Sequence, residues 1–281
     1  MLPLRVIPVL LLDQGQVVQT TRFAITNRLH ADPVYTACTF GEADADEVIA
    51  LDITRRRTEE TRAVFEDCVS RLADAFLVPL TVGGWISSVE DVAVLMRLGA
   101  DKVVVNTAAL DNPGLIHRIS SFYGSQVLVV SVDFELTTGR VWADRFRVET
   151  EWGYAEWAAH AVSLGAGELL LNTRQSDGSG VGYPLEQYES IARAVAVPVV
   201  FMGGVGKWEH LVAGARAGAS AVAFANQAHY KEQAVRRAKE HMLRAGLAVR
   251  PVMKIDGERG QVKTVTTAGK HPWDIQEVSH G

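Results

Sequence analysis

Cysteine is nearly missing from this chain, which carries two in 281 residues, Cys38 and Cys68. Both fall in expected helices and form no Cys-x-x-Cys or Cys/His spacing, so no disulfide framework, zinc site or redox motif is expected. A reducing, cytosolic setting follows. The sequence has no HExxH, no GxGxxG and no Walker loop, and neither metal nor cofactor is expected. Proline is sparse and no Pro/Ser-rich stretch divides the chain. One domain is therefore expected over residues 1–248, followed by a polar extension, 249–281, to which the residues assign no role. No apolar run is long enough to span a bilayer. The opening MLPLRVIPVLLLDQG is too short and lacks a signal peptide's cleavage pattern, and it reads as a buried strand. Positive charge is not in excess: the formal net charge is −5, and the six tryptophans are not interleaved with basic residues. Neither nucleic acid nor an anionic membrane is an expected partner.

What is present is a long internal echo. Val78–Asn106, VPLTVGGWISSVEDVAVLMRLGADKVVVN, returns as Val197–Asn226, VPVVFMGGVGKWEHLVAGARAGASAVAFAN. Each copy reads as buried strand, glycine turn, amphipathic helix, Gly-Ala turn and second buried strand. The turns Gly83-Gly84 and Gly203-Gly204 lie 120 residues apart, too far for a solenoid, which predicts a fold of two similar halves. Glycines between a strand end and a helix let backbone approach an anion, with helix N–H groups aimed at it. Two such turns predict a ligand with a phosphate at each end.

Eight strands are expected near residues 5–12, 47–53, 78–82, 102–105, 127–132, 168–172, 198–202 and 221–224. Helices alternate with them, including one capped by a Ser87/Glu90 box. The segment 13–30 has room for a small hairpin, and 137–151 reads as a hairpin insertion. The alternation predicts an α/β fold, a (β/α)8 TIM barrel, with a doubly wound open sheet as the runner-up.

In such barrels chemistry sits at the C-terminal ends of strands. Asp133 and Asp52 end the fifth and second strands, where each either works as a general acid or base or caps a loop. Asp177, in QSDGSGVG, reads as a third acid or as an Asp-Gly turn. Asn106 and Thr107 after the fourth strand, and Ala225 and Asn226 after the eighth, would complete the two anion pockets begun by the glycine turns. Arg5, Glu47, Lys102 and Glu168 each start a strand and should meet at the barrel floor, where two cations and two anions pair; spacing alone favours a structural plug. His229 reads as structural. Trp85 stands where a third glycine would extend the first turn.

The stretches RVIPVLLLDQGQVV, DEVIALDIT, LTVGGWISSVEDV, GADKVVVNTAAL, GSQVLVVSVDFE, GAGELLLNT, DGSGVGY and MGGVGKWEHLVAGARAGA resemble the cyclase subunit of imidazole glycerol phosphate synthase, in order, over about residues 1–248. The resemblance implies a half-barrel duplicate that takes ammonia from a separate glutaminase docked on the barrel floor. Ammonia passes a gate of four charged residues, onto which Arg5, Glu47, Lys102 and Glu168 fall, and this displaces the plug reading. The chain has no Gly-x-Cys-x-Gly elbow, so the glutaminase would come in trans. The resemblance also implies one phosphate site at Gly83, Gly84, Asn106 and Thr107. It implies a second at Gly178, Gly203, Gly204, Ala225 and Asn226, beside Asp177. Asp133 falls on one of two catalytic aspartates.

The departures bear on activity. The other catalytic aspartate aligns with Leu11, which transfers no proton; Asp13 is two residues on. A loop lysine aligns with Gln19, with Arg22 as a substitute cation, and Asn226 replaces a serine. The opening LLL, with TTRF and ADPV, is also similar to a paralogous branch that uses ammonia to convert a sugar's acetamido group to an acetamidino group. There Asp133 alone would orient or deprotonate the amine. Three expectations follow: an ammonia-using synthase acting on a phosphorylated or nucleotide-linked sugar, the histidine-pathway cyclase itself, or an inactive barrel that regulates a glutaminase.

Overall fold

The computed structural model describes residues 3–36, 44–230, 233–255 and 262–264. Eight parallel strands close on themselves: β1 (Arg5–Asp13), β4 (Val48–Asp52), β5 (Leu80–Gly83), β6 (Lys102–Val105), β7 (Leu128–Phe134), β10 (Glu168–Thr173), β11 (Val199–Phe201) and β12 (Ala221–Phe224). The β12–β1 pairing sets Arg5 against Ala221, and β7–β10 sets Asp133 beside Asn172. These are the eight expected strands within a few residues, and closure excludes the open sheet. Two antiparallel ribbons interrupt the alternation. One is β2 (Gln16–Thr21) with β3 (Ala24–His30), and the other is β8 (Arg140–Ala143) with β9 (Val148–Gly153). Both stand where a hairpin was expected.

Side-chain parity explains the strands' apolar character. In β1, Val6, Leu10 and Leu12 face the helices and join the outer core, while Ile7, Val9 and Leu11 face the barrel interior. In β7, Val129 faces inward and so, two and four residues on, do Ser131 and Asp133. The interior is a packed column that includes Ile7, Val9, Ile49, Val129, Leu170 and Val200. The same parity turns Arg5, Glu47, Lys102 and Glu168 inward at the floor.

The outer helices are α1 (Glu59–Ala75), α2 (Val89–Arg97), α3 (Thr107–Asp111), α4 (Gly114–Tyr123), α5 (Tyr154–Ser163), α6 (Leu185–Ala194), α7 (Trp208–Arg216), α8 (Asn226–Tyr230) and α9 (Ala234–Arg244). The capping box of α2 is Ser88 with Asp91, not Ser87 with Glu90: the Asp91 amide reaches the Ser88 hydroxyl, and the Asp91 carboxylate returns to the Ser88 amide. The shift arises because Asp91 also serves Ser87 and Arg62, while Glu90 is exposed. Ser88→Ala should therefore lower stability by about 1 kcal/mol, and Glu90→Ala should leave the denaturant midpoint almost unmoved.

Cys68 is buried on α1, and burial pushes its thiol up to about 11, as suits an inert core cysteine. Cys38 lies outside the described residues. Past residue 248 the chain still packs on the barrel. Val249 is buried and pairs with Leu4, and Arg250 shares Asp46 with the fully buried Lys239. Met253–Ile255 pairs with Val262–Thr264 as an antiparallel ribbon. Among the described residues, no helix is long and apolar enough to cross a membrane.

Candidate functional site

Two rings of polar side chains mark the ends of the barrel. At the floor the four inward charges close a circuit. Arg5 pairs with Glu47 at 2.6 Å and with Glu168, and Lys102 pairs with Glu47 at 3.1 Å and Glu168 at 3.0 Å. The Thr81 hydroxyl donates a further hydrogen bond to Glu47 at 2.6 Å. The carboxylates are buried, while Arg5 and Lys102 are partly open to the floor. The glutamates are thus the fixed members and the cations the accessible ones.

At the other end, Asp133 sits at the centre of the mouth. It accepts from the Ser131 hydroxyl at 2.9 Å and the Asn106 amide nitrogen at 3.1 Å. Burial raises its carboxyl to about 7; the Ser131 bond opposes this and the Asp177 charge adds to it. A carboxyl tuned near neutrality is suited to proton transfer. Leu11, on the interior face of β1, lines the same chamber of about 100 Å³ without a titratable group. Asp13 is engaged at 2.5 Å by Arg28 of the first ribbon.

Asp177, read from the sequence as a third acid or as an Asp-Gly turn, holds a loop in place. Its oxygens accept from the Thr20 hydroxyl at 3.1 Å and the Phe23 amide at 2.8 Å, and its carbonyl accepts from the Arg22 amide at 3.0 Å. It clamps the tip of the β2–β3 ribbon, where Arg22 and Phe23 both take left-handed backbone, over the mouth. Phe23 meets Phe146 of the other ribbon at 4.3 Å, so the two tips roof the chamber. Burial holds the Asp177 carboxyl above its ordinary value.

The remaining predicted residues fall into two clefts flanking Asp133. Gly83, Gly84, Asn106 and Thr107 line one of about 420 Å³, together with Asp133 itself. Asp177, Gly178, Gly203, Gly204, Ala225 and Asn226 line the other, of about 130 Å³, which also holds Gln19. The glycines are required by packing as well as by any ligand. A Cβ on Gly84 (φ +118°) would stand 2.8 Å from Asp52, and one on Gly204 (φ +83°) 2.1 Å from the Gly182 carbonyl. Arg22 is exposed at its ribbon tip and is not in the wall of the smaller cleft. Burial pulls the His229 imidazole down to about 4 and keeps it neutral.

Asp52 ends β4 on the parity opposite to Ile49, so it does not share the interior face with Asp133. It accepts from the Thr54 amide and hydroxyl, both at 3.0 Å, and from the Trp85 indole at 3.1 Å. Burial raises it to about 6 against those three bonds. Trp85 itself is held with φ +61°, the conformation a glycine would have taken without strain.

Sequence reasoning missed Arg57 and Arg145, both in the wall of the larger cleft. Arg145 crosses the mouth from the second ribbon to the carbonyls of Ile53 and Thr54 and pairs with Asp144. Arg57 lies over the Trp85 ring, 4.6 Å from its centroid. The one signal in the sequence was the run Arg55-Arg56-Arg57 directly after a strand end. Residues 5–234 match the family model described as histidine biosynthesis protein, and the chain belongs to that family of barrel enzymes.

Proposed function

We propose that the protein is an ammonia-using synthase subunit. In this reading a glutaminase bound on the barrel floor supplies ammonia, and a phosphorylated or nucleotide-linked sugar receives it at the mouth. The observation that carries the reading is the floor circuit of Arg5, Glu47, Lys102 and Glu168 beneath an otherwise apolar column. Burying four charges gives little net stability over well-packed apolar side chains, so a purely structural plug has no need of them. A closed circuit does exclude water and ammonium, and the apolar column above it suits neutral ammonia. In the closed state the column is filled, so passage requires a cation to swing toward the floor and side chains to give way. Ala221 and Ala223 are the smallest side chains of the column, and their strand rises from the level of Arg5 toward Ala225 at the smaller cleft.

Support for a floor partner comes from two large apolar side chains on that face. Leu77, between α1 and β5, is 102% exposed, and Phe122, in the last turn of α4, is 74% exposed. A partner docked on that face would cover both. At the mouth, the two clefts beside Asp133 would hold the anionic ends of the substrate, and Asp133 would orient the amine and take its proton. The loss of a carboxylate at Leu11 argues against imidazole ring formation, which in the resembled cyclase uses a pair.

The test is turnover of the isolated subunit with ammonium salt at high pH. The expected result is product from a nucleotide-linked acetamido-sugar and none from the histidine-pathway ribonucleotide. Turnover of the ribonucleotide instead would make this the cyclase. No turnover of either, together with tight binding of a glutaminase, would make it a regulator.

A further inference from the structure

The larger cleft was expected to hold an anion by its glycine turn, yet several of the polar groups beside that turn already have partners. The Asn106 amide nitrogen is bonded to Asp133 and the Ser131 carbonyl, and the Thr107 hydroxyl to the Asp144 amide and Asn106. The amides of Ser87 and Ser88, which lead into α2, both donate to the Asp91 carboxylate. Asp91 thus fills from within the place an external anion would take at that helix N-terminus.

The cations of the cleft divide in the same way. Arg145 is tied to two carbonyls and to Asp144, which Arg147 also reaches at 3.3 Å. Asp52 and Asp133 each have their own donors. Arg57 differs from all of these. Its guanidinium lies on the Trp85 indole and, among the described residues, makes no hydrogen bond or ion pair within the protein. Arg57 is exposed, yet desolvation and the nearby Arg145 press against its charge, while Asp52 and Asp144 favour it from a distance. Stacking fixes the plane of a guanidinium while leaving its edge N–H groups free, the geometry that takes an oxyanion in two parallel bonds.

We infer that Arg57, stacked on Trp85, is the anion-recognition residue of the larger cleft and binds a substrate phosphate or carboxylate through its guanidinium edge. The inference rests on the reading that this cleft receives the substrate. Trp85 then has a role in the place of a third glycine: it trades a backbone nest for a platform that holds a side-chain cation, anchored in turn by the indole N–H on Asp52. This end of the substrate would be read by charge and planarity, the other by backbone amides around Gly178, Gly203 and Gly204.

The test needs neither turnover nor a partner. Inorganic phosphate and D-glucuronate are titrated separately, at fixed ionic strength, into the full-length protein. The Trp85 indole N–H resonance, assigned with Trp85→Phe, reports on this cleft alone. At least one anion should shift it saturably, and Arg57→Gln should weaken that binding roughly 10- to 100-fold, the range of a charge-assisted pair. Arg57→Lys should restore only part of it, because an ammonium cannot lie flat and bond twice. A response to phosphate alone marks the group as a phosphate ester, and a response to glucuronate alone marks it as a sugar carboxylate. Unchanged affinity in Arg57→Gln, with the other indole resonances in place, would return the anion to the glycine turn. No shift with either anion would also overturn the inference. Since ammonia-dependent turnover is measured separately, this inference and the proposed activity can fail independently.

Discussion

Asp133→Asn should reduce ammonia-dependent turnover by about 10²- to 10⁴-fold, the span of general acid–base catalysis, with far less effect on substrate affinity. The geometry explains the size of the loss. Among the described residues, Asp133 is the carboxyl in the walls of both the central chamber and the larger cleft, and the interior face opposite offers Leu11. Asparagine keeps the shape, and the Ser131 hydroxyl can turn to accept where it had donated, so the fold is retained. Because burial places the carboxyl near 7, wild-type turnover should rise with pH through that region, as a base comes free to accept a proton. Free ammonia also grows with pH over this range, so rates are referred to its concentration; on that scale the variant's residual rate should lack that limb. Retention of wild-type turnover in Asp133→Asn would remove this residue from the mechanism.

The same carboxyl predicts an opposite effect on stability. Its folded-state pKa, about 7, lies above that of an unfolded aspartate, so the folded protein holds the extra proton between those values. Stability contributed by that proton is present at low pH and is lost as pH rises from about 4 to about 7. Asp133→Asn carries no such loss. It should be more stable than wild type at pH 8, on the order of 1–3 kcal/mol, with the difference vanishing toward pH 4. Thermal melts across this range measure it. A residue whose replacement stabilises the fold while removing activity is one placed for chemistry.

How much of this was legible in the sequence follows from which interactions are local. The strands were legible because both faces are covered, which leaves apolar runs such as Arg5–Leu12, and because turns and helices follow at regular intervals. The floor charges were legible because parity from a strand start is arithmetic: Glu47 and Ile49 must share a face. What was not legible depends on loops meeting across the mouth. Asp177 looked like an acid or an Asp-Gly turn, and only the fold brings Thr20 and Phe23 to it from more than 150 positions away. Trp85 looked like an intruder in a glycine turn. Its partners, Asp52 and Arg57, belong to the preceding strand and the loop after it, and no sequence spacing announces that contact. The cap of α2 moved by one residue because Ser87, Ser88 and Arg62 compete for the same carboxylate.

The floor circuit gives the second large effect, and it separates a gate from a plug. Arg5→Met would leave Glu47 and Glu168 sharing Lys102, with one remaining hydrogen bond from Thr81 to Glu47. Both carboxylates are nearly closed to solvent, and an unmatched buried charge costs about 3–5 kcal/mol, read as a fall in the denaturant midpoint. If the circuit is a gate, the functional loss is selective: glutamine-dependent turnover with the partner should fall severalfold or more, while turnover on added ammonium is kept, since that ammonia can reach Asp133 from the mouth. Replacing all four residues together, Arg5→Met, Glu47→Gln, Lys102→Met and Glu168→Gln, removes the unmatched charge and should recover most of the stability. A plug would then be whole again, with both activities intact. A gate would stay broken, because the charges that open and close it are gone, and glutamine hydrolysis would run uncoupled from product. The ratio of glutamate released to product formed, in the stable quadruple variant, is the quantity on which the two accounts give opposite answers.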